Sequence, residues 1–165
     1  GGLPGSGKTT FAKALAGRLG ARHINSDELR AMHNLLGDYR LSTKNQVYEL
    51  MMSRVEGWLR EEISVVIDAT FYLRAHRRNF VVLANRYDFS LFFFLIEADE
   101  AVIRARVSHT RPYTEADFEV YKKVKAAFEP LQIPYRSINS TNLDDMLGDA
   151  QDYLDLNNKN GTSGN

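Results

Sequence analysis

The sequence predicts an α/β fold, a parallel sheet with helices on both faces arranged in three layers. Short apolar runs of strand length alternate along the chain with longer segments of helical periodicity, the order that builds parallel sheets through crossover helices. The run Val65–Ile67 is continuously apolar rather than alternating, as a strand covered on both faces requires, and the stretch around Phe92, Phe93 and Phe94 is the strongest strand signal in the chain. With 165 residues, 44% of them hydrophobic and 25% charged, the chain is long enough to bury one core. That composition excludes a disordered, collagen-like or disulfide-built protein.

The chain opens in a loop. Gly2, Leu3, Pro4, Gly5, Ser6, Gly7, Lys8 and Thr9 match G-x-x-x-x-G-K-S/T, the phosphate-binding pattern called Walker A. Glycines let such a backbone turn tightly and aim its N–H groups at phosphate oxygens, and the positive end of the following helix adds to the attraction. Phe11, Leu15 and Leu19 recur at helical spacing up to Gly20, so the loop does open a helix. Gly2, Pro4, Gly5, Ser6, Gly7, Lys8, Thr9 and Thr10 are therefore the candidate contacts to ATP. Lys8 is placed to reach its β- and γ-phosphates and Thr9 to hold Mg²⁺. A buried parallel strand is expected ahead of this loop, and none is present; the reading expects that first strand to be missing from the chain.

Arg22 to Asn25 reads as a short strand and is followed by a helix through about Leu36. Val47, Leu50, Met51, Val55, Trp58 and Leu59 mark a long amphipathic helix over Ser42 to Glu61, its methionines belonging to the core. Ser64 to Asp68 is a strand, Leu73 to Arg86 a helix, Ser90 to Glu97 a strand and Asp99 to Ser108 a helix. A polar break at His109 to Tyr113 leads to a helix that begins near Thr114 and ends before Pro130. Tyr135 to Asn139 is the last strand and Asn142 to Leu156 the last helix. One domain over residues 1–156 results, with 157–165 expected to be a disordered polar tail.

Charge narrows the function. Twenty-one basic and 21 acidic side chains cancel, so any polyanion site must be local. The absence of cysteine excludes disulfides and thiolate metal sites and fits a cytoplasmic setting. The longest apolar run, Leu91 to Ile96, is too short to span a bilayer, so no membrane association is expected.

Ligands of open parallel sheets gather at the carboxyl ends of the strands, which singles out Asn25, Asp27, Arg30 and Asp68. Asp27 is a candidate general base for a substrate hydroxyl, with Arg30 one turn on steadying phosphate charge. Helix capping by Asn25 and Glu28, with Asp27 merely suiting the dipole, is the other reading of the same residues. Asp68 follows the apolar strand where a metal-side carboxylate would sit, or else starts a turn. Arg74, His76, Arg77 and Arg78 form a basic cluster, read either as a contact for nucleic-acid phosphate or as a solvated helix face. Arg106 and Arg111 border the polar break and are candidate lid residues that neutralise a transferred phosphate, whereas Glu100 four residues before Arg104 supplies that arginine with a surface ion pair.

Together GLPGSGKTT, NSDELR, VVIDAT and the arginines around SHTRPYTEADF resemble the small P-loop kinases. The closest likeness is to bacterial AAA-type ATP-binding proteins of the polynucleotide kinase, zeta toxin and chloramphenicol phosphotransferase group, and it covers residues 1 to about 155. The resemblance implies a P-loop NTPase sandwich that moves the γ-phosphoryl group of ATP to a hydroxyl acceptor: a polynucleotide 5′-hydroxyl, a nucleoside or a small molecule. The Asp-x-x-Arg pair that supplies base and activating arginine in 5′-hydroxyl polynucleotide kinases is matched by Asp27 and Arg30. Asp68 corresponds to a strand-end aspartate that orients that arginine or the substrate, and Arg106 and Arg111 to lid arginines. Ser140 and Thr141 fall where such kinases cradle adenine. Residues 34 to 46 carry no acceptor signature. An ATP-binding switch acting through a protein partner is the alternative from another class.

Overall fold

A computed structural model describes residues 1–38, 40–107 and 118–161 of the chain. Its elements run α1 (Lys8–Leu19), β1 (Arg22–Asn25), α2 (Ser26–Met32), α3 (Leu41–Arg60), β2 (Val65–Asp68), α4 (Arg74–Arg86), β3 (Phe94–Glu97), α5 (Glu100–Val107), α6 (Phe118–Ala126), β4 (Arg136–Asn139) and α7 (Leu143–Gly161). This is the expected alternation of strand and helix. The helix expected to reach Leu36 stops at Met32, where His33 leaves helical geometry and the backbone turns at Asn34 with a positive φ. The strand expected from Ser90 begins only at Phe94. At the far end α7 takes in residues 157–161, assigned to the tail by the sequence reading.

All observed pairing is parallel. β1 pairs with β2 in a register that sets Ile24 beside Ile67 and Asn25 beside Asp68. β3 pairs with β4, Glu97 standing beside Asn139. Helices cover both faces, as the continuously apolar strands require. On one face Phe11 and Leu15 of α1 and Met146, Leu147 and Ala150 of α7 pack on Ile96 and Ile138. On the other Val47, Met51, Val55 and Leu59 of α3 and Phe80 and Leu83 of α4 close over Ile24, Phe71 and Phe93.

No ladder joins β2 to β3 among the described residues. A cavity of about 470 Å³ separates them, lined by Val66, Ile67, Phe93 and Phe94 among others. Gly1 lies at one end of it. Its carbonyl accepts from Ile96 N–H at 2.9 Å and its amino nitrogen donates to Phe94 O at 2.8 Å, continuing a ladder along β3. Gly2 N–H reaches Thr70 O, just beyond β2, at 3.3 Å. The cavity therefore lies between the two strand pairs, beside the start of the loop. Gly1 and Gly2 bridge the two strand pairs there and deliver the loop to the carboxyl ends of all four strands.

Candidate functional site

The loop folds as its glycines dictate. Gly7 caps α1 in the left-handed region, with φ 94°. A Cβ on Gly7 would stand 2.8 Å from Ser140 Oγ and 3.2 Å from the Arg106 guanidinium, so both backbone conformation and space demand glycine there. Ser6 N–H closes a turn onto Leu3 O at 3.1 Å. The Ser6 side chain is buried, and its hydroxyl has no hydrogen-bond partner among the described residues. Lys8 leans back across the loop, its Nζ 3.5 Å from Leu3 O. The first amides of α1 have no carbonyl four residues back within a helix, so the helix start presents donors and partial positive charge beside the Lys8 ammonium.

The β1–β2 register assembles the floor. Asn25, buried at the end of β1, accepts from the N–H groups of Asp27 and Glu28 at 2.8 and 2.9 Å and so caps α2, the role read from the sequence. Its amide nitrogen donates to Asp68 Oδ2 at 2.5 Å and to Thr9 Oγ1 at 3.4 Å. The bridge from Asn25 to Asp68 and Thr9 escapes sequence reading, because it depends on the pairing of two strands 43 residues apart.

Asp68 is 2% exposed. Burial pushes its carboxyl group up, but the neighbouring His23 imidazole, the charge of Lys8 and the hydrogen bond from Asn25 outweigh this and hold it below the usual carboxylate range. His23 Nε2 stands 3.6 Å from Asp68 Oδ2. The other carboxylate oxygen, Oδ1, is buried without a hydrogen-bond partner among the described residues. An ionised carboxylate oxygen and a threonine hydroxyl sharing one asparagine are hard donors of the kind Mg²⁺ takes, and that ion characteristically binds through one or two protein oxygens plus substrate phosphate. The residues present fit a magnesium ion.

Arg106 reaches the loop from α5. One guanidinium nitrogen donates to Gly5 O at 3.3 Å and to Ser140 Oγ at 3.0 Å, tying α5 and the end of β4 to the turn before α1. Arg111 lies outside the described residues. Arg104 has the surface role expected of it: it pairs with Glu100 at 3.8 Å and lies 3.8 Å over the Phe118 ring. Asp27 sits in the first turn of α2, and Arg30 near its end donates to Asp38 O at 2.9 Å. Lys13 and Glu28 link α1 to α2 at 2.8 Å.

The basic cluster requires a correction. Arg77 is 3% exposed and donates to the backbone carbonyls of Phe71, Glu129 and Pro130, at 2.6, 3.1 and 2.9 Å. It is a structural clamp between the β2–α4 segment and the chain after α6, not a surface contact for nucleic acid. His76, Arg77, Phe80, Leu83 and Ala84 form one buried face at helical spacing, a periodicity that the run of charges conceals. Arg74 and Arg78 remain exposed.

His76 stacks on Tyr48 with ring centres 3.7 Å apart and meets Asn45 Oδ1 through Nε2 at 3.0 Å. Burial pushes its imidazole down to about 4, with Lys44 and Arg77 adding to the fall and Glu129 opposing it. Burial likewise pushes the Tyr48 phenol up to about 12; its oxygen accepts from Phe71 N–H at 3.0 Å.

A glycine-rich loop of Walker A pattern opening a helix, set at the carboxyl ends of parallel strands, defines a P-loop domain. A family model described as an AAA domain matches residues 1–131, and the chain belongs to that family. Solved structures share the fold. A sugar kinase from Janibacter sp. HTCC2649 superimposes with a TM-score of 0.74 at 19% identity, covering 93% of this chain and 91% of its own. A gluconokinase from Sinorhizobium meliloti 1021 gives 0.74 at 17%, covering 98% and 94%. The APS kinase of Mycobacterium tuberculosis, solved with AMPPNP and APS, gives 0.71 at 16%, covering 93% and 94%. No curated protein matches significantly. No helix among the described residues is long and apolar enough to cross a membrane.

Two outcomes follow from this geometry. Asn25→Ala removes a helix cap and leaves the buried Asp68 carboxylate short of a donor, so a loss of about 2–4 kcal/mol is expected in urea unfolding at pH 7. A loss below about 0.5 kcal/mol contradicts the bridge. For His76, an unfolded chain takes up a proton near pH 6.5 that the folded chain refuses until about pH 4. Its contribution is thus present above pH 6.5 and declines on acidification toward 4. The urea midpoint of His76→Phe, which keeps a ring against Tyr48, should fall less over that window than that of the parent.

Proposed function

We propose that the chain is a kinase that transfers the γ-phosphoryl group of ATP to a hydroxyl acceptor. The observation that carries this reading is the convergence of Lys8 and Thr9, at the start of α1, with the ionised Asp68 of the neighbouring strand and with the Asp27–Arg30 helix capped by the same Asn25. The fold shared with the solved kinases supports it.

The loop amides and Lys8 bind the phosphates of ATP. Thr9 and Asp68 would hold the magnesium ion, which supplies charge neutralisation at the phosphate oxygens. Asp27 accepts the proton of the acceptor hydroxyl as its oxygen bonds to the γ-phosphorus. The bond from that phosphorus to the β–γ bridging oxygen breaks, and its electron pair leaves with ADP. Arg30 and Arg106 offset the charge that develops on the transferred group, and Arg111 is assigned the same task from the lid. Arg106 is already held beside the loop by Ser140 and Gly5. Catalysis of this kind is positioning and electrostatics, with no covalent intermediate on the protein.

The test is an acceptor screen with γ-labelled ATP on the parent chain and on Asp27→Asn. Transfer is expected to fall by a factor of about 10²–10⁴ in the variant while ATP affinity stays within about threefold. Undiminished transfer by Asp27→Asn rejects the base assignment. Nucleotide binding with no labelled acceptor in either chain rejects the kinase reading in favour of a nucleotide-dependent switch.

A further inference from the structure

Resting on that kinase reading, we propose that the acceptor is a small hydroxyl compound carrying its own anionic group, a carboxylate, phosphate or sulfate, and that Lys44 binds that group. Lys44 lies in the first turns of α3 and is half-buried. Its ammonium donates to the hydroxyl of the buried Tyr72 at 3.0 Å and sits 4.9 Å from the centre of that ring. The side chain is thus held over the segment that follows β2. In the same segment Thr70 O receives Gly2 N–H, and Phe71 N–H is bonded to the hydroxyl of Tyr48, one helical turn along α3 from Lys44. Lys44 therefore borders the space beyond the strand ends where a substrate of the loop would lie.

No carboxylate among the described residues pairs with its charge, and none comes within ion-pair distance of Arg30. Asp38, the acidic side chain that links the two regions, is already engaged: its carboxylate accepts from the Arg40 guanidinium, with the shortest contact 2.6 Å, and from Thr43 Oγ1 at 2.7 Å. It offers Arg30 only its backbone carbonyl. Glu129 takes the backbone N–H of Arg74 and lies beside Arg77, and His76 adds no negative charge. A half-buried ammonium fixed by a tyrosine, with the Arg30 guanidinium on the neighbouring helix and with Asp38 and Glu129 committed elsewhere, leaves a local positive potential that an anionic ligand would satisfy.

A small molecule fits better than a polynucleotide. The arginine cluster that would have tracked a phosphate backbone loses Arg77 to the interior, and the chain carries no net charge. Such binding depends on several exposed cations in a row.

Matched acceptor pairs test the proposal with γ-labelled ATP: aldonates against the corresponding alditols, sugar phosphates and sugar sulfates against free sugars, and 5′-hydroxyl oligonucleotides as a separate arm. The arms also separate carboxylate, phosphate and sulfate as sources of the anion. The anionic member of at least one pair should show a KM at least tenfold below its neutral partner. Lys44→Met should raise that KM about tenfold or more, with kcat and the KM for ATP within about threefold and the melting temperature preserved. Lys44→Arg should recover most of the affinity. Equal use of neutral and anionic members, indifference of the anionic KM to Lys44→Met, or transfer to oligonucleotides alone overturns this inference and leaves the kinase reading standing. Labelled product from no acceptor, with ATP bound normally, overturns both.

Discussion

The side-chain amide of Asn25 divides its hydrogen bonds among three elements, and the site depends on that division. Its oxygen serves two N–H groups at the start of α2, and its nitrogen serves Asp68 at the end of β2 and Thr9 at the start of α1. An asparagine has two donor hydrogens and one carbonyl, and all are engaged in a position that is 5% exposed. A shorter side chain cannot reach, and an aspartate would set a second negative charge against Asp68. The parallel register that pairs Asn25 with Asp68 is thus also what fixes the phosphate loop's helix relative to the helix bearing Asp27.

The opposite side of the loop is held by Arg106, which joins Gly5 to Ser140. Gly7 lies between these anchors, close enough to Ser140 and Arg106 that no side chain fits. The loop is therefore clamped from both strand pairs. Between β2 and β3, Gly2 N–H reaches Thr70 O while Gly1 bonds to Phe94 and Ile96, so the start of the loop is tied to both strand pairs.

Most of the architecture was legible from local signals. The glycine spacing of the loop, the Val65–Ile67 run and the helical spacing of Val47, Met51 and Val55 each depend on neighbours a few residues away, and each led to the element observed. Asn25 as a cap was legible for the same reason. The errors lie where distant partners decide. Residues 90 to 93 have strand composition, yet among the described residues the β3–β4 register starts at Phe94, and of these four only Phe93 is reached from β4, its carbonyl accepting from Arg136 N–H at 2.9 Å. Arg77 sits among charges in sequence, but its partners Glu129 and Pro130 lie 52 and 53 residues on. The reach of Arg106 to Gly5 crosses 101 residues, and sequence supplied only the type of side chain.

Whether the clamped loop grips a nucleoside triphosphate is the claim on which the rest stands. Calorimetric titration of the chain with ATP and Mg²⁺, beside Lys8→Ala at the same pH and salt, measures it most directly. Saturable one-to-one binding by the parent, weakened tenfold or more in a variant that melts at the same temperature, is the predicted result. Equal heats from the two proteins, or none from the parent, would contradict the account.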